Sequence, residues 1–315
     1  MRQQSVDLTR LGDYPLIAID VETTGLHWYR DKLFGVAIAT YDGATVRSGY
    51  WDIREMGAGL KVALRDGVRK ARKIVNHHIK FDIHFLLNEA IVLPLDRVEC
   101  TQTRAALIDE HEHSYSLESL CQKYLGRGKV IGIYGKLAEL FGGPADKSQM
   151  KNIHRAPPGM VEEYAREDAA LALNLYLWQE EEIDKQGLRQ VVDLERRLLP
   201  VLVDMERRGV RVDEKRTRSS SRDIDIRVLE CQNDLDSLAG KRVNANSAPQ
   251  MRELFGAVKG EDGTWRTHTG YPLEKTDGGE ASVTADTLRS LIELGDERAK
   301  AVLAIRKLTK AKSFL

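Results

Sequence analysis

The stretch Leu16 to Gly25 reads Leu-Ile-Ala-Ile-Asp-Val-Glu-Thr-Thr-Gly, and it constrains the chain more than any other. Leu16 to Ile19 form a short apolar run suited to a buried strand, and the run stops at Asp20, Val21 and Glu22. Side chains two apart on a strand point the same way, so Asp20 and Glu22 share a face. Two carboxylates held that close repel each other unless a cation lies between them, and hard oxygen donors at this density suit Mg²⁺ or Mn²⁺. Thr23, Thr24 and Gly25 then end the strand and expose the pair at its mouth. On these residues alone a solvated strand end explains the pattern at least as well as a metal site, so the rest of the chain has to decide.

With 315 residues there is room for two domains, each with its own core. The 48 Lys and Arg balance the 48 Asp and Glu, so a polyanionic partner needs a local basic patch or bound metal ions. Cys100, Cys121 and Cys231 are isolated, with no Cys-X-X-Cys pair, which fits a reduced protein without a zinc or disulfide framework. Met1 to Arg10 is polar and lacks the apolar centre of a signal peptide, and no apolar run reaches membrane-spanning length. The expectation is a soluble protein of cytoplasmic type with no membrane partner.

Further along, Leu33 to Tyr41 is rich in β-formers, and Asp42-Gly43 turns it into a third strand near Val46 to Trp51. Lys61 to Lys73 reads as an amphipathic helix, and Lys73 to Asn76 as a short strand. Asp82 precedes an apolar-periodic run and so belongs near a helix start, where backbone N–H groups favour a carboxylate. His77, His78, His84, His111 and His113 lack the cysteine or His-X₃-His partner that a zinc site needs. Ser116 caps a helix that Gly126 to Gly128 stops, and Pro157-Pro158-Gly159 introduces a long one from about Met160 to Lys185. On that helix Tyr164 and Asp168 are one turn apart, so a phenol and a carboxylate share a face.

Asp20-X-Glu22, Lys80-Phe81-Asp82 and Tyr164-X₃-Asp168, in this order, resemble the three motifs of the DEDD 3′-5′ exonucleases, in the subclass whose last motif carries tyrosine. That resemblance implies an α/β, ribonuclease-H-like fold, a mixed sheet flanked by helices with an acidic cluster at one edge. One position departs from it. Such proteins usually carry Asn four residues before the Asp of the second motif, where this chain has His78, and Asn76 lies two residues further back. The departure implies a changed hold on the terminal nucleotide.

The second half is similar to the start of the polymerase domain of family-A DNA polymerases. The residues that carry this likeness are Leu194 to Leu202, Met205 to Asp213, Arg242 to Gln250 with Leu254-Phe255, Thr269-Gly270, and Val302 to Leu308. By resemblance, residues 1–187 form the exonuclease domain and residues 188–315 a mainly α-helical, thumb-like portion of the polymerase domain. The palm and fingers of that family come later in sequence, so nucleotide addition is not expected from this stretch alone.

The resemblance implies that Asp20, Glu22, Asp82 and Asp168 hold two divalent ions, Mg²⁺ or Mn²⁺, which activate water and stabilise the leaving 3′ oxygen. Tyr164 and Glu22 then orient the water. Tyrosine is a poor base at neutral pH, its reference pKa being about 10. The implied substrate is DNA with single-stranded or frayed 3′ ends, and primer-template duplex is a further partner. His78 and Lys80 beside the second motif, and Arg207, Arg208, Arg306, Lys307 and Lys310 in basic clusters of the second half, are the candidate DNA contacts. Gly256 to Ser282, rich in Gly, Thr and charge, reads as a flexible excursion with a hairpin tip around Thr264 to Tyr271. Two other functions stay open: a DNA-binding fragment that joins a separate palm-and-fingers chain, and an RNA-trimming exonuclease with the same motifs.

Overall fold

The computed structural model describes residues 6–128 and 132–315, and the start of the polar terminus, Met1 to Ser5, lies outside them. The chain divides into two compact units between Gly209 and Val210. In the first unit the order is β1 (Leu16–Thr23), β2 (Leu33–Tyr41), β3 (Val46–Asp52), α1 (Ala58–Lys70), β4 (Ile74–Asn76), α2 (Ile79–Asn88), β5 (Val98–Cys100), α3 (Thr101–Ile108), α4 (Leu117–Leu125), α5 (Ile133–Phe141), α6 (Pro158–Gln186) and α7 (Arg189–Arg208). Its sheet runs β3-β2-β1-β4-β5, with β1 to β3 an antiparallel meander and β4 and β5 parallel to β1. The expected mixed sheet flanked by helices is the architecture found.

Alternation along β1 builds both layers. Ile17, Ile19 and Val21 enter a core with Leu64 and Val68 of α1 and Ile79 and Ile83 of α2. Leu16 and Ala18 enter a second core with Ala165, Ala169 and Leu173 of α6. Asp20 and Glu22 continue the Leu16-Ala18 row, so the alternation that buries the strand also delivers both carboxylates on the α6 side. Helix α6 begins on Pro158 and stops at Gly187, whose φ of +70° is the left-handed conformation glycine adopts freely. That glycine ends a helix, while the compact unit continues through α7, whose Leu199 and Val203 join the core on the α2 side.

The second unit contains α8 (Glu214–Ala239), α9 (Ala248–Leu254), β6 (Val258–Lys259), β7 (Trp265–Arg266), β8 (Pro272–Lys275), β9 (Ala281–Ser282), α10 (Ala285–Glu293) and α11 (Glu297–Lys312). Leu235, Met251, Phe255, Leu288, Val302 and Ile305 form its core. The hairpin tip expected around Thr264 to Tyr271 is the turn between β7 and β8, but the excursion around it is a ladder of four short antiparallel strands in the order β6-β7-β8-β9. Its glycines and threonines serve hairpin turns: Gly270 has φ +84°, and the Trp265 indole N–H donates to the Gly279 carbonyl at 3.0 Å. Composition of this kind is shared by tight turns and by disorder, which is why it misleads. Among the described residues no helix is long and apolar enough to cross a membrane.

Gly67 of α1 lies against the 3₁₀ turn Leu8–Asp13, where a Cβ would overlap the backbone carbonyl oxygen of Leu8. Gly67→Ala is therefore expected to destabilise the protein by about 1–3 kcal/mol, the usual cost of overpacking. Gly59→Ala, in open space on the same helix, is expected to be neutral or stabilising by up to about 1 kcal/mol. Urea unfolding of the two variants beside the parent checks both signs.

Candidate active site

Three elements meet at the end of β1. Glu22 pairs in register with Gly35 of β2, and the ladder shifts between Glu22 and Thr23, which turns the chain into the Thr23–Gly25 bend. Gly35 is required by packing, because the ring of Tyr50 lies where its Cβ would be. On the other side β4 pairs only with Ile17 and Ala18, so β1 outruns it, and the N–H of Val21 donates to Asp82 Oδ1 at 3.1 Å. Asp82 stands in the first turn of α2 and is 3 % exposed.

A cleft of about 460 Å³ is lined by Asp20, Glu22, Tyr164 and Asp168, with Leu26, Phe81, Lys147 and Lys151 also on its walls. Asp82 lies beside Asp20. The Asn76 side-chain amide donates to Asp20 Oδ1 at 2.9 Å and to Asp82 Oδ2 at 3.0 Å. Burial and then the Asp20 charge hold the Asp82 carboxyl well above the usual carboxylate range. Burial pushes the Tyr164 phenol well up, and the charges of Asp168, Glu22 and Asp20 add to it in that order. The aspartate of the second motif and the tyrosine of the third thus both sense the first.

The cleft offers carboxylate oxygens without thiolate or imidazole, a donor set that suits a hard divalent cation. Among the described residues no three His, Cys, Asp or Glu side chains are already gathered closely enough to enclose an ion. The acidic groups of the lining face one space. The histidines have partners elsewhere: His77 contacts Thr101 and the Tyr115 carbonyl, and His84 contacts Glu206.

The remaining candidates lie apart from the cleft lining. His78 caps α2 in the left-handed conformation, φ +59°, and its Nδ1 is 2.8 Å from Gln102 Oε1. Lys80 donates to Glu206 Oε1 at 2.5 Å, and Glu206 Oε2 is 2.7 Å from His84 Nε2. Arg207 donates to the His84 carbonyl at 3.2 Å and to Asn88 Oδ1 at 3.1 Å, with its guanidinium 4.7 Å from the centre of the Trp28 ring. Lys80 and Arg207 therefore fasten α7 to α2. Arg208 pairs with Asp204 at 2.6 Å, one turn away on its own helix. Arg306 is committed to the carbonyls of Ala245 and Val283 at 2.8 and 2.7 Å. Lys307 and Lys310 are exposed on α11.

Asn76, Lys147 and Lys151 were not among the expected site residues. In the sequence Asn76 stands six positions before Asp82, two further back than the usual asparagine, which sets it outside the motif; it reaches the site because β4 ends beside β1. The lysines are four apart on the 3₁₀ segment Lys147–Arg155, and no periodicity ties that segment to β1.

The 3′-5′ exonuclease family model of family-A DNA polymerases matches residues 5–184, more than half of the chain. The chain belongs to that family. A DNA polymerase DpoZ of Salmonella phage PMBT28 is 46 % identical over 305 residues, covering 96 % of this chain and 48 % of the relative. DNA polymerase I of Pseudomonas aeruginosa is 28 % identical over 320 residues, covering 97 % and 33 %. This member of the exonuclease family thus spans about half the length of the curated phage relatives it matches. A solved structure, the polymerase domain of Pol1 from M. smegmatis in complex with DNA primer-template and dNTP, shares the fold with a TM-score of 0.72. Its identity is 19 %, and the match covers 99 % of this chain and 48 % of that one.

Arg207→Ala removes two hydrogen bonds and a cation–π contact between α7 and the rest of the first unit, and is expected to cost about 1 kcal/mol. Lys307→Ala, at an exposed site, is expected to change stability by less than about 0.5 kcal/mol. Chemical denaturation of both separates the packing residue from the surface one.

Proposed function

We propose that this chain hydrolyses 3′-terminal phosphodiesters of DNA, with Asp20, Glu22, Asp82 and Asp168 as ligands of two divalent ions, Mg²⁺ or Mn²⁺. What supports the reading is the meeting of β1, α2 and α6: three carboxylates and one phenol line one cleft, and Asp82 shares the Asn76 amide with Asp20 of that lining, in a member of a 3′-5′ exonuclease family. When bound, the ions supply Lewis acidity to the attacking water and to the leaving 3′ oxygen.

The protein groups have separable tasks. Tyr164, its phenol pushed up by burial, remains a neutral O–H group at neutral pH and orients the attacking water. Glu22, 5 % exposed and held in β1, is the second contact for that water. Leu26 and Phe81 on the cleft wall give the terminal base an apolar seat. Lys147 and Lys151 face the same cleft from the 3₁₀ segment and offset its acidic charge toward the phosphates of the strand. Single-stranded or frayed ends suit such a cleft, because the last bases must separate from a partner strand to enter it. Within a polymerase the same reaction is proofreading. In the second unit, exposed Lys307 and Lys310 are the proposed duplex contacts.

A 5′-labelled single strand of DNA is expected to shorten from its 3′ end only with Mg²⁺ or Mn²⁺, and a matched RNA strand more slowly. Asp20→Ala/Glu22→Ala is expected to lose more than about a hundredfold in rate. Trimming that persists in this double variant, or that proceeds in chelator, contradicts the assignment. Lys147→Ala/Lys151→Ala is expected to raise KM for DNA about tenfold with kcat nearly unchanged. The slope of log KM against log salt should fall by roughly 1.4, two phosphate contacts' worth on a single strand.

A further inference from the structure

Asn76 ends β4 and is 1 % exposed. Its side-chain amide carries two hydrogens, and both go to carboxylates, Asp20 Oδ1 at 2.9 Å and Asp82 Oδ2 at 3.0 Å. This amide orientation gives both hydrogens a carboxylate acceptor, whereas the flipped rotamer would set a carbonyl oxygen against the two ionised carboxylates. The other oxygen of Asp82 accepts the Val21 N–H at 3.1 Å, so both of its oxygens rest on neutral donors from β1 and β4. His78, which stands where related exonucleases usually carry asparagine, is turned to Gln102.

A neutral amide at this point does what a cationic side chain could not. It orients two like-charged groups and leaves their charge for another cation. A lysine or arginine there would neutralise the pair and compete with a divalent ion. Asn76, on β4, belongs to a different element from either carboxylate, so it ties the end of β1 to the start of α2.

We propose that Asn76 is a positioning residue of the metal site: its amide sets the spacing of Asp20 and Asp82 so that both serve one divalent ion. The proposal rests on the carboxylates being metal ligands, as argued above. An outer partner of this kind is worth about ten- to a hundredfold in metal affinity in other sites.

The test uses the full chain and Mn²⁺ as the probe. Calorimetry gives the Kd for Mn²⁺ without DNA, and trimming of a labelled strand at graded Mn²⁺ gives the half-saturating concentration and kcat. Asn76→Ala is expected to weaken Mn²⁺ binding by about ten- to a hundredfold, with kcat at saturating Mn²⁺ within about threefold of the parent. Asn76→Ser, whose single hydroxyl hydrogen serves only one carboxylate, is expected to fall between, and it decides the matter if the alanine variant does not fold. A purely structural asparagine would lower the unfolding temperature of the metal-free protein and leave the Mn²⁺ Kd unchanged; that result overturns the proposal. Asp20→Ala separates the underlying reading. If its Mn²⁺ isotherm equals the parent's, the carboxylate site itself fails and the proposal with it. If Asp20→Ala abolishes binding while both Asn76 variants match the parent, only the role of Asn76 is refuted.

Discussion

The gathering of carboxylates at the end of β1 is the constraint on which the candidate site depends. Asp20 and Glu22 cannot swing away, because they continue a row whose earlier members, Leu16 and Ala18, are buried against α6. Asp82 cannot withdraw into solvent, because Val21 and Asn76 hold both of its oxygens and it is nearly inaccessible. Burial first and neighbouring charge second raise the Asp82 and Tyr164 groups, at a point where a bound cation would favour the ionised carboxylate.

That arrangement depends on α6 keeping its axial position, since a shift of one residue would turn Tyr164 and Asp168 off the cleft. Further along the helix, buried Arg104 of α3 pairs with Glu99 and with Glu180 of α6, and its guanidinium lies 4.3 Å from the centre of the Tyr176 ring. Gln179 donates to the Thr101 carbonyl at 2.9 Å. These contacts lock α6 to α3 and so set where the third motif arrives. A buried ion pair broken on one side is costly, so this anchor is both strong and intolerant of substitution.

Much of this was legible in the sequence where local rules apply. An apolar run marked β1 and β-forming composition marked β2, the Ser116 cap and Gly126 bounded α4, and one-turn spacing put Tyr164 beside Asp168 on α6. Long-range partners were not legible. Lys80 and Arg207 look like free cations until Glu206 and the His84 carbonyl are seen beside them, and Arg306 looks the same until two backbone carbonyls are found at its guanidinium. Asn76 was passed over for the same reason, its partners being set by strand pairing. Of the ribbon from β6 to β9 only the β7–β8 hairpin was legible, because hairpin glycines resemble a flexible composition.

The most direct test of the central claim is a crystal soaked in Mn²⁺ and measured for anomalous scattering. The account predicts a peak bonded to carboxylate oxygens of Asp20 and Asp82, with Glu22 and Asp168 drawn toward the same space. A saturated crystal with no peak in that cleft, or with Mn²⁺ bound only elsewhere, would contradict it.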